Sequence, residues 1–157
     1  MTVKVLGALG EDVKKQDLDE VLGTIGKTAE EQLPFELAVE GVGVFPDVIY
    51  GKVGAGSLNV RRLNTKLVER LGDLAVRSQF DGRKMIPHVT IAHFATTDVE
   101  PLLAKVAKLA TRFMGSMTVS SIDVRGWYPH GFSGEEEVPV SKPIVSFRLC
   151  GNKRTGV

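Results

Sequence analysis

The chain has 157 residues, of which 43% are hydrophobic and 25% are charged, and its formal net charge is +1. This composition excludes extensive disorder and supplies enough apolar side chains for a domain with a buried core. The near-neutral charge disfavours binding to long duplex nucleic acid, which usually needs a strongly basic surface.

Strands and helices alternate along the first part of the chain. Apolar and polar side chains alternate over residues 2–7, which predicts a strand at the start. Apolar residues then recur at helical spacing after Asp17, a suitable N-cap, and Pro34 ends this helix. Residues 35–40 and 48–53 predict two strands that pair as a hairpin or lie as near neighbours, joined by a glycine-rich connection.

A second helix is predicted from Ser57, whose hydroxyl can cap it. Its apolar stripe consists of leucines, namely Leu63, Leu67, Leu71 and Leu74. Charged residues occupy the rest of its surface, namely Arg61, Arg62, Lys66, Glu69 and Arg70. Such a face is usually solvated, and contact with a phosphate is the alternative interpretation.

The last third of the chain predicts one more helix and two strands. The capping-box pattern at residues 97–100 opens the helix, and Phe113 is expected to face inward from its end. Residues 117–127 and 144–149 predict strands separated by a long polar loop. The tail, residues 151–157, is expected to be flexible.

The segment Pro87-His88-Val89-Thr90-Ile91-Ala92-His93 carries the candidate chemistry. Alternate side chains of a strand share a face, so His88 and Thr90 point the same way and can hold one phosphate between them. Imidazole titrates near neutrality and suits acid–base catalysis, while a hydroxyl can donate to a phosphoryl oxygen. His93, five residues after His88, is expected on the opposite face.

These residues resemble the 2H phosphoesterases, and within them the branch of RNA 2′,3′-cyclic phosphodiesterases and 2′-5′ RNA ligase-like proteins. The start of the chain, Thr2-Val3-Lys4-Val5-Leu6-Gly7, is similar to the end of that family's first His-any-Thr motif, and the likeness covers approximately residues 2–149. The resemblance implies an α+β fold of two lobes, with antiparallel sheets flanking a central cleft and helices outside. Residues 1–150 are then a single domain.

The resemblance also implies roles for four residues. His88 is expected to be an acid–base residue, Thr90 its phosphate-holding partner, Thr2 the matching hydroxyl of the other lobe, and Lys4 a substrate-binding cation. The implied activity is metal-independent opening of 2′,3′-cyclic phosphates on short RNA ends or small nucleotides, with reversible 2′-5′ ligation as a further activity. No cofactor is implied, and the histidines and the single cysteine lack metal-ligand spacing.

The first motif departs from the family pattern, because Met1 stands at its middle position and its histidine would directly precede the chain. The family's earlier strand and helix are absent from the sequence as well. We hypothesise that the reading frame begins upstream and that a GTG codon was taken as the start. An N-terminally truncated chain is expected to lose activity and to expose a sheet edge through which it self-associates.

Two alternative functions use the same residues. One is a nucleotide-binding module that keeps Thr2, Lys4 and Thr90 but has lost catalysis, and the other is a hydrolase of cyclic oligonucleotide signals.

Cys150 is the single cysteine, which favours a reducing, cytoplasmic location. No apolar run approaches the roughly 20 residues that cross a bilayer, so no membrane partner is expected.

Overall fold

The structure is a computed structural model that describes residues 1–94, 98–128 and 140–151. Thr97 of the predicted capping box, most of the polar loop before the last strand, and residues 152–157 of the predicted tail lie outside these ranges. Gly151, the first residue of that tail, donates its backbone N–H to the carbonyl of Gln32 at 3.1 Å. The described chain therefore ends against the end of the first helix.

The described residues form a mixed α+β structure, as predicted. Its helices are α1 (Leu18–Glu30), α2 (Ser57–Leu71) and α3 (Glu100–Ala107). Its strands are β1 (Phe35–Val44), β2 (Val48–Val53), β3 (His88–His93), β4 (Phe113–Val119), β5 (Ser121–Tyr128) and β6 (Val140–Arg148). Four strands form an antiparallel sheet in the order β3-β2-β1-β4, and β5 pairs with β6 in a second, two-stranded sheet.

Helices α1 and α2 cover one face of the four-stranded sheet because their apolar stripes match its inward side chains. Val60 of α2 and Leu37 of β1 belong to one buried cluster, with Ala29 of α1. A second cluster joins α1 and α2 to Val124 of β5. The opposite face of the sheet includes the residues of the candidate site. None of the helices in the described ranges has an apolar stretch long enough to cross a membrane.

The predicted strand at residues 2–7 is wrong. The segment pairs with no strand among the described residues, because its backbone is bonded elsewhere. The backbone N–H of Val76 donates to the carbonyl of Leu6 at 3.0 Å, and the side chain of Asn64 donates to the carbonyl of Val3 at 2.8 Å. The expected N-terminal sheet edge is therefore not formed, and the edges of the larger sheet are β3 and β4.

Two further predictions are corrected in the second half. Residues 117–127 are not one strand but belong to β4 and β5, which lie in different sheets and are separated by Ser120. The carbonyl of Ser120 accepts a hydrogen bond from the backbone of Leu149, which fixes the change of direction. Phe113 does not face inward from a helix: it opens β4 and is 62% exposed. Its apolar side chain therefore lies on an edge strand and is largely exposed to solvent.

The first hairpin is confirmed, with one change of boundary. Strand β1 continues through the glycine-rich residues to Val44, and β2 pairs with it in antiparallel fashion. A register shift lies between Val39 and Val42. Gly41, at this shift, has a φ of 93°, a left-handed conformation that favours glycine.

Candidate active site

The register of β2 and β3 brings four polar side chains to one open face of the sheet. His88 lies opposite Lys52, and Thr90 lies opposite Tyr50. Paired residues of neighbouring strands share a face, as do alternate residues within a strand. His88, Thr90, Tyr50 and Lys52 therefore project from the same side, away from α1 and α2.

The His88 ring is oriented by a hydrogen bond to the backbone of Ile86, just before β3. Its Nδ1 lies 2.8 Å from the carbonyl oxygen of Ile86, and a carbonyl can only accept. The proton of the neutral ring is therefore on Nδ1, which leaves a lone pair on Nε2. Nε2 can accept a proton and later return it while Nδ1 keeps its bond.

Two aromatic rings surround the imidazole. Phe45 and Tyr50 are stacked with centroids 4.1 Å apart, and both meet the His88 ring edge-on, at 5.2 and 5.5 Å. The stack is possible because Gly43 lies beneath Tyr50, where a Cβ would overlap the phenol ring. The sequence analysis did not find this aromatic pair, although a glycine facing a tyrosine across a predicted hairpin was the available signal.

Lys52 is a further residue that the sequence analysis missed. Its Nζ donates to the carbonyl of Ala110 at 3.2 Å. The ammonium has three donors, so further donors remain for a ligand on the open face. Lys52 therefore adds a positive charge beside His88, which suits a phosphate group.

The expectation that His93 faces away from His88 is not supported by the register. Ile49 pairs with Ala92, whereas its neighbour Tyr50 pairs with Thr90, so Ile91 is an extra residue in β3. Such a bulge shifts the alternation of side chains by one residue. His93, opposite Val48, returns to the His88 face, but about 16 Å further along the strand.

The ammonium group of Lys4 is already bound by other groups of the protein. Its side chain is 4% exposed and its Nζ lies 2.9 Å from Oδ2 of Asp81. The same ammonium donates to the carbonyls of Val5 and Val76. All its donors are therefore used in holding the N-terminal segment, and the structure does not bring Lys4 to the face of His88 as a free cation.

Asn64 determines where Thr2 lies. Its side chain, 1% exposed, donates to the carbonyl of Val3 at 2.8 Å and accepts the backbone N–H of Gly82 at 2.7 Å. Leu6 is bonded to Val76, so the segment runs in the opposite direction to residues 76–82. Thr2 is thus exposed at the Gly82 end, where the chain leads into His88. Thr2 and His88 form no hydrogen bond with each other within the described ranges.

The ion pair beneath this segment predicts a dependence of stability on pH. Burial raises the pKa of Asp81, but hydrogen bonds from the Ser78 backbone, Lys4 and Asn64 outweigh burial and lower the pKa below its usual value. The ionised carboxylate therefore stabilises the fold above the unfolded pKa of about 3.9, and this contribution is lost as the pH falls through the folded pKa.

We accordingly expect the free energy of unfolding to decrease as the pH is lowered below about 4. Urea unfolding over a pH series measures it. Asp81→Asn is expected to remove that part of the pH dependence, and Asp19→Asn, at an exposed position on α1, serves as the control. An unchanged acid dependence in Asp81→Asn would contradict the assigned pair.

Comparison with known proteins identifies the family. The sequence model of the 2′-5′ RNA ligase superfamily matches residues 1–128, which is more than half of the chain. The protein belongs to the 2′-5′ RNA ligase superfamily. The resemblance to the 2H phosphoesterases, drawn from the motif at His88 and Thr90, is thereby confirmed.

This superfamily member is similar to two known proteins. The RNA 2′,3′-cyclic phosphodiesterase of Aquifex aeolicus (strain VF5) is 28% identical over 127 residues, which are 78% of this chain and 65% of the relative. This chain thus spans just under two thirds of that relative's length. The crystal structure of TT0787 of Thermus thermophilus superposes with a TM-score of 0.64 at 20% identity, covering 89% of this chain and 74% of the other. This second likeness confirms the fold.

Proposed function

We propose that this protein is a metal-independent phosphodiesterase that opens 2′,3′-cyclic phosphates on RNA ends or small nucleotides. The observation that carries the proposal is the imidazole of His88, held through Nδ1 by Ile86, beside the hydroxyl of Thr90 on an open sheet face. The relative named for this activity in Aquifex aeolicus supports the choice of substrate.

The reaction needs groups of the kind found on this face. A water oxygen forms a bond to phosphorus, and the bond from phosphorus to one ribose oxygen breaks. A base takes the proton of the water, and an acid supplies a proton to the ribose oxygen. Nε2 of His88 can carry out either transfer. Thr90 donates to a nonbridging oxygen, and Lys52 stabilises the charge that develops there.

The same chemistry extends to ligation. If the 5′-hydroxyl of a second RNA end replaces water, its oxygen forms the new bond to phosphorus while the same ribose bond breaks. The product is then a phosphodiester rather than a ribose phosphomonoester, and the proton transfers are unchanged. Reversible 2′-5′ ligation is therefore part of the proposal, and product analysis with a 5′-hydroxyl acceptor tests it.

Thr2 is proposed as the hydroxyl of the second half-site. A histidine placed directly before Met1 completes the His-any-Thr pattern with Thr2, at the end of a segment that Asn64 fixes beside Gly82. Such a chain is expected to hydrolyse a 2′,3′-cyclic nucleotide at least about 100-fold faster than the same chain with alanine there. The two chains differ only in that imidazole.

Steady-state kinetics without and with excess EDTA, and chromatography of the products, measure this difference. Equal rates in the two chains would overturn the second half-site at Thr2. Absence of turnover in both chains would overturn the phosphodiesterase proposal itself. A rate that disappears on adding EDTA would overturn the metal-independent mechanism.

A further inference from the structure

A groove of about 820 Å³ lies where the end of α1, the start of β1, the first half of α2 and the turn at Gly82–Lys84 meet. Its lining is rich in basic side chains, namely Arg61, Arg62, Lys66 and Arg83. Leu33 and Leu58 also line it and are more than half exposed. The groove therefore combines positive charge with apolar surface.

The positive charge of this groove is not neutralised by the described part of the protein. The lining includes one carboxylate, Glu31, which pairs with Arg70 at 2.6 Å. The four basic side chains of the groove form no ion pair within the described ranges. In a chain with a net charge of +1, this is a local concentration of cations, which attracts a polyanion.

The groove lies on the side of α1 and α2, at the end of the sheet where β1 and β3 begin, whereas His88 projects from the opposite face. Arg83 precedes His88 by five residues, a span of at most about 18 Å. Lys52, opposite His88, lies near the end of β2, from which a short turn leads to α2 and its basic residues. A chain molecule whose end lies at His88 can therefore reach the groove by passing around this end of the sheet.

We propose that this groove binds the phosphodiester backbone of single-stranded RNA whose cyclic-phosphate end lies at His88. The inference rests on the proposed function and deepens it, because it makes an oligonucleotide rather than a mononucleotide the preferred substrate. Repeated phosphates match the row of basic residues, and Leu33 and Leu58 offer apolar surface to ribose and base. The charged face of α2 is then a binding surface and not merely a solvated one.

Binding of a short, non-cleavable 2′-O-methyl oligonucleotide tests the proposal without requiring turnover. The groove variant combines Arg61→Gln, Arg62→Gln and Lys66→Gln. The control variant combines Lys15→Gln, Lys105→Gln and Lys108→Gln, which removes equal charge from exposed positions outside the groove lining. Fluorescence anisotropy measures Kd over a range of salt concentrations, and thermal unfolding verifies that both variants fold.

The groove variant is expected to bind the oligonucleotide at least about tenfold more weakly than wild type in low salt, and its salt dependence falls by about 2 in log–log slope. The control variant is expected to stay near wild type. Equal binding by the two variants would overturn the groove. Equally tight binding of polyglutamate by wild type would overturn RNA as the occupant.

Turnover, measured in chains that carry a histidine directly before Met1, separates this inference from the proposed function. The groove variant is expected to lose about tenfold in kcat/KM on a cyclic-phosphate oligonucleotide while keeping wild-type activity on a cyclic mononucleotide. Parallel losses on both substrates would overturn the groove as a site for the distant backbone. If neither substrate is turned over but only the groove variant loses binding, the phosphodiesterase proposal fails and the RNA groove stands.

Discussion

In the chain that carries a histidine directly before Met1, replacing His88 with alanine is expected to lower kcat for a 2′,3′-cyclic nucleotide by about 10³-fold, within the range of a general acid–base residue. The imidazole is half-buried, and the bond that alanine removes joins Nδ1 to the carbonyl of Ile86, two residues away in sequence. The fold is therefore expected to survive. Steady-state kinetics and thermal unfolding, measured on the same preparations, separate the two effects.

His93 provides the matched control for this experiment. It is a histidine of the same strand on the same face, about 16 Å from His88 along β3. His93→Ala is expected to keep wild-type turnover. Loss of activity in both variants to the same degree would contradict the assignment of His88. Nucleotide binding without turnover in wild type and in His88→Ala would instead favour the binding module.

Replacing Asn64 with alanine is expected to destabilise the protein by about 3 kcal/mol, more than 100-fold in the unfolding equilibrium. The buried amide makes hydrogen bonds to the carbonyl of Val3, the carboxylate of Asp81 and the N–H of Gly82. Alanine leaves these partners without their bond in a site with little water. Urea unfolding measures the change.

The control is Asn59→Ala, a change of the same chemistry at a partly exposed position of the same helix, where a change within about 0.5 kcal/mol is expected. In the Asn64 variant, limited proteolysis is also expected to cut the N-terminal segment faster, because Asn64 joins Val3 to Gly82. A cost below about 1 kcal/mol together with unchanged proteolysis would contradict this role.

Periodicity in the sequence predicted much of the fold. The helical spacing of the leucines predicted α2, and the alternation of apolar and polar residues predicted β2 and β3 to within a residue or two of their ends. The same alternation failed at residues 2–7, because local pattern cannot tell whether a partner strand is available. There the backbone is bonded by Asn64 and Val76, which are distant in sequence.

The candidate site was predictable only within a single strand. His88 and Thr90 share a face because they are two residues apart, and the structure places them so. Lys52 and Tyr50 were missed because they join the site through the pairing of two strands, which the sequence does not specify. The side of His93 depended on the bulge at Ile91, for which the sequence carries no clear signal.

Gly43 has a consequence beyond its own strand. Because residue 43 has no side chain, the phenol of Tyr50 can lie flat across β1, where Phe45 stacks on it and the imidazole of His88 stands against both rings. The orientation of the His88 imidazole, the proposed proton-transfer group, thus depends on the space that Gly43 leaves open two strands away. In related sequences, a larger residue at this point should coincide with a smaller one in place of the tyrosine.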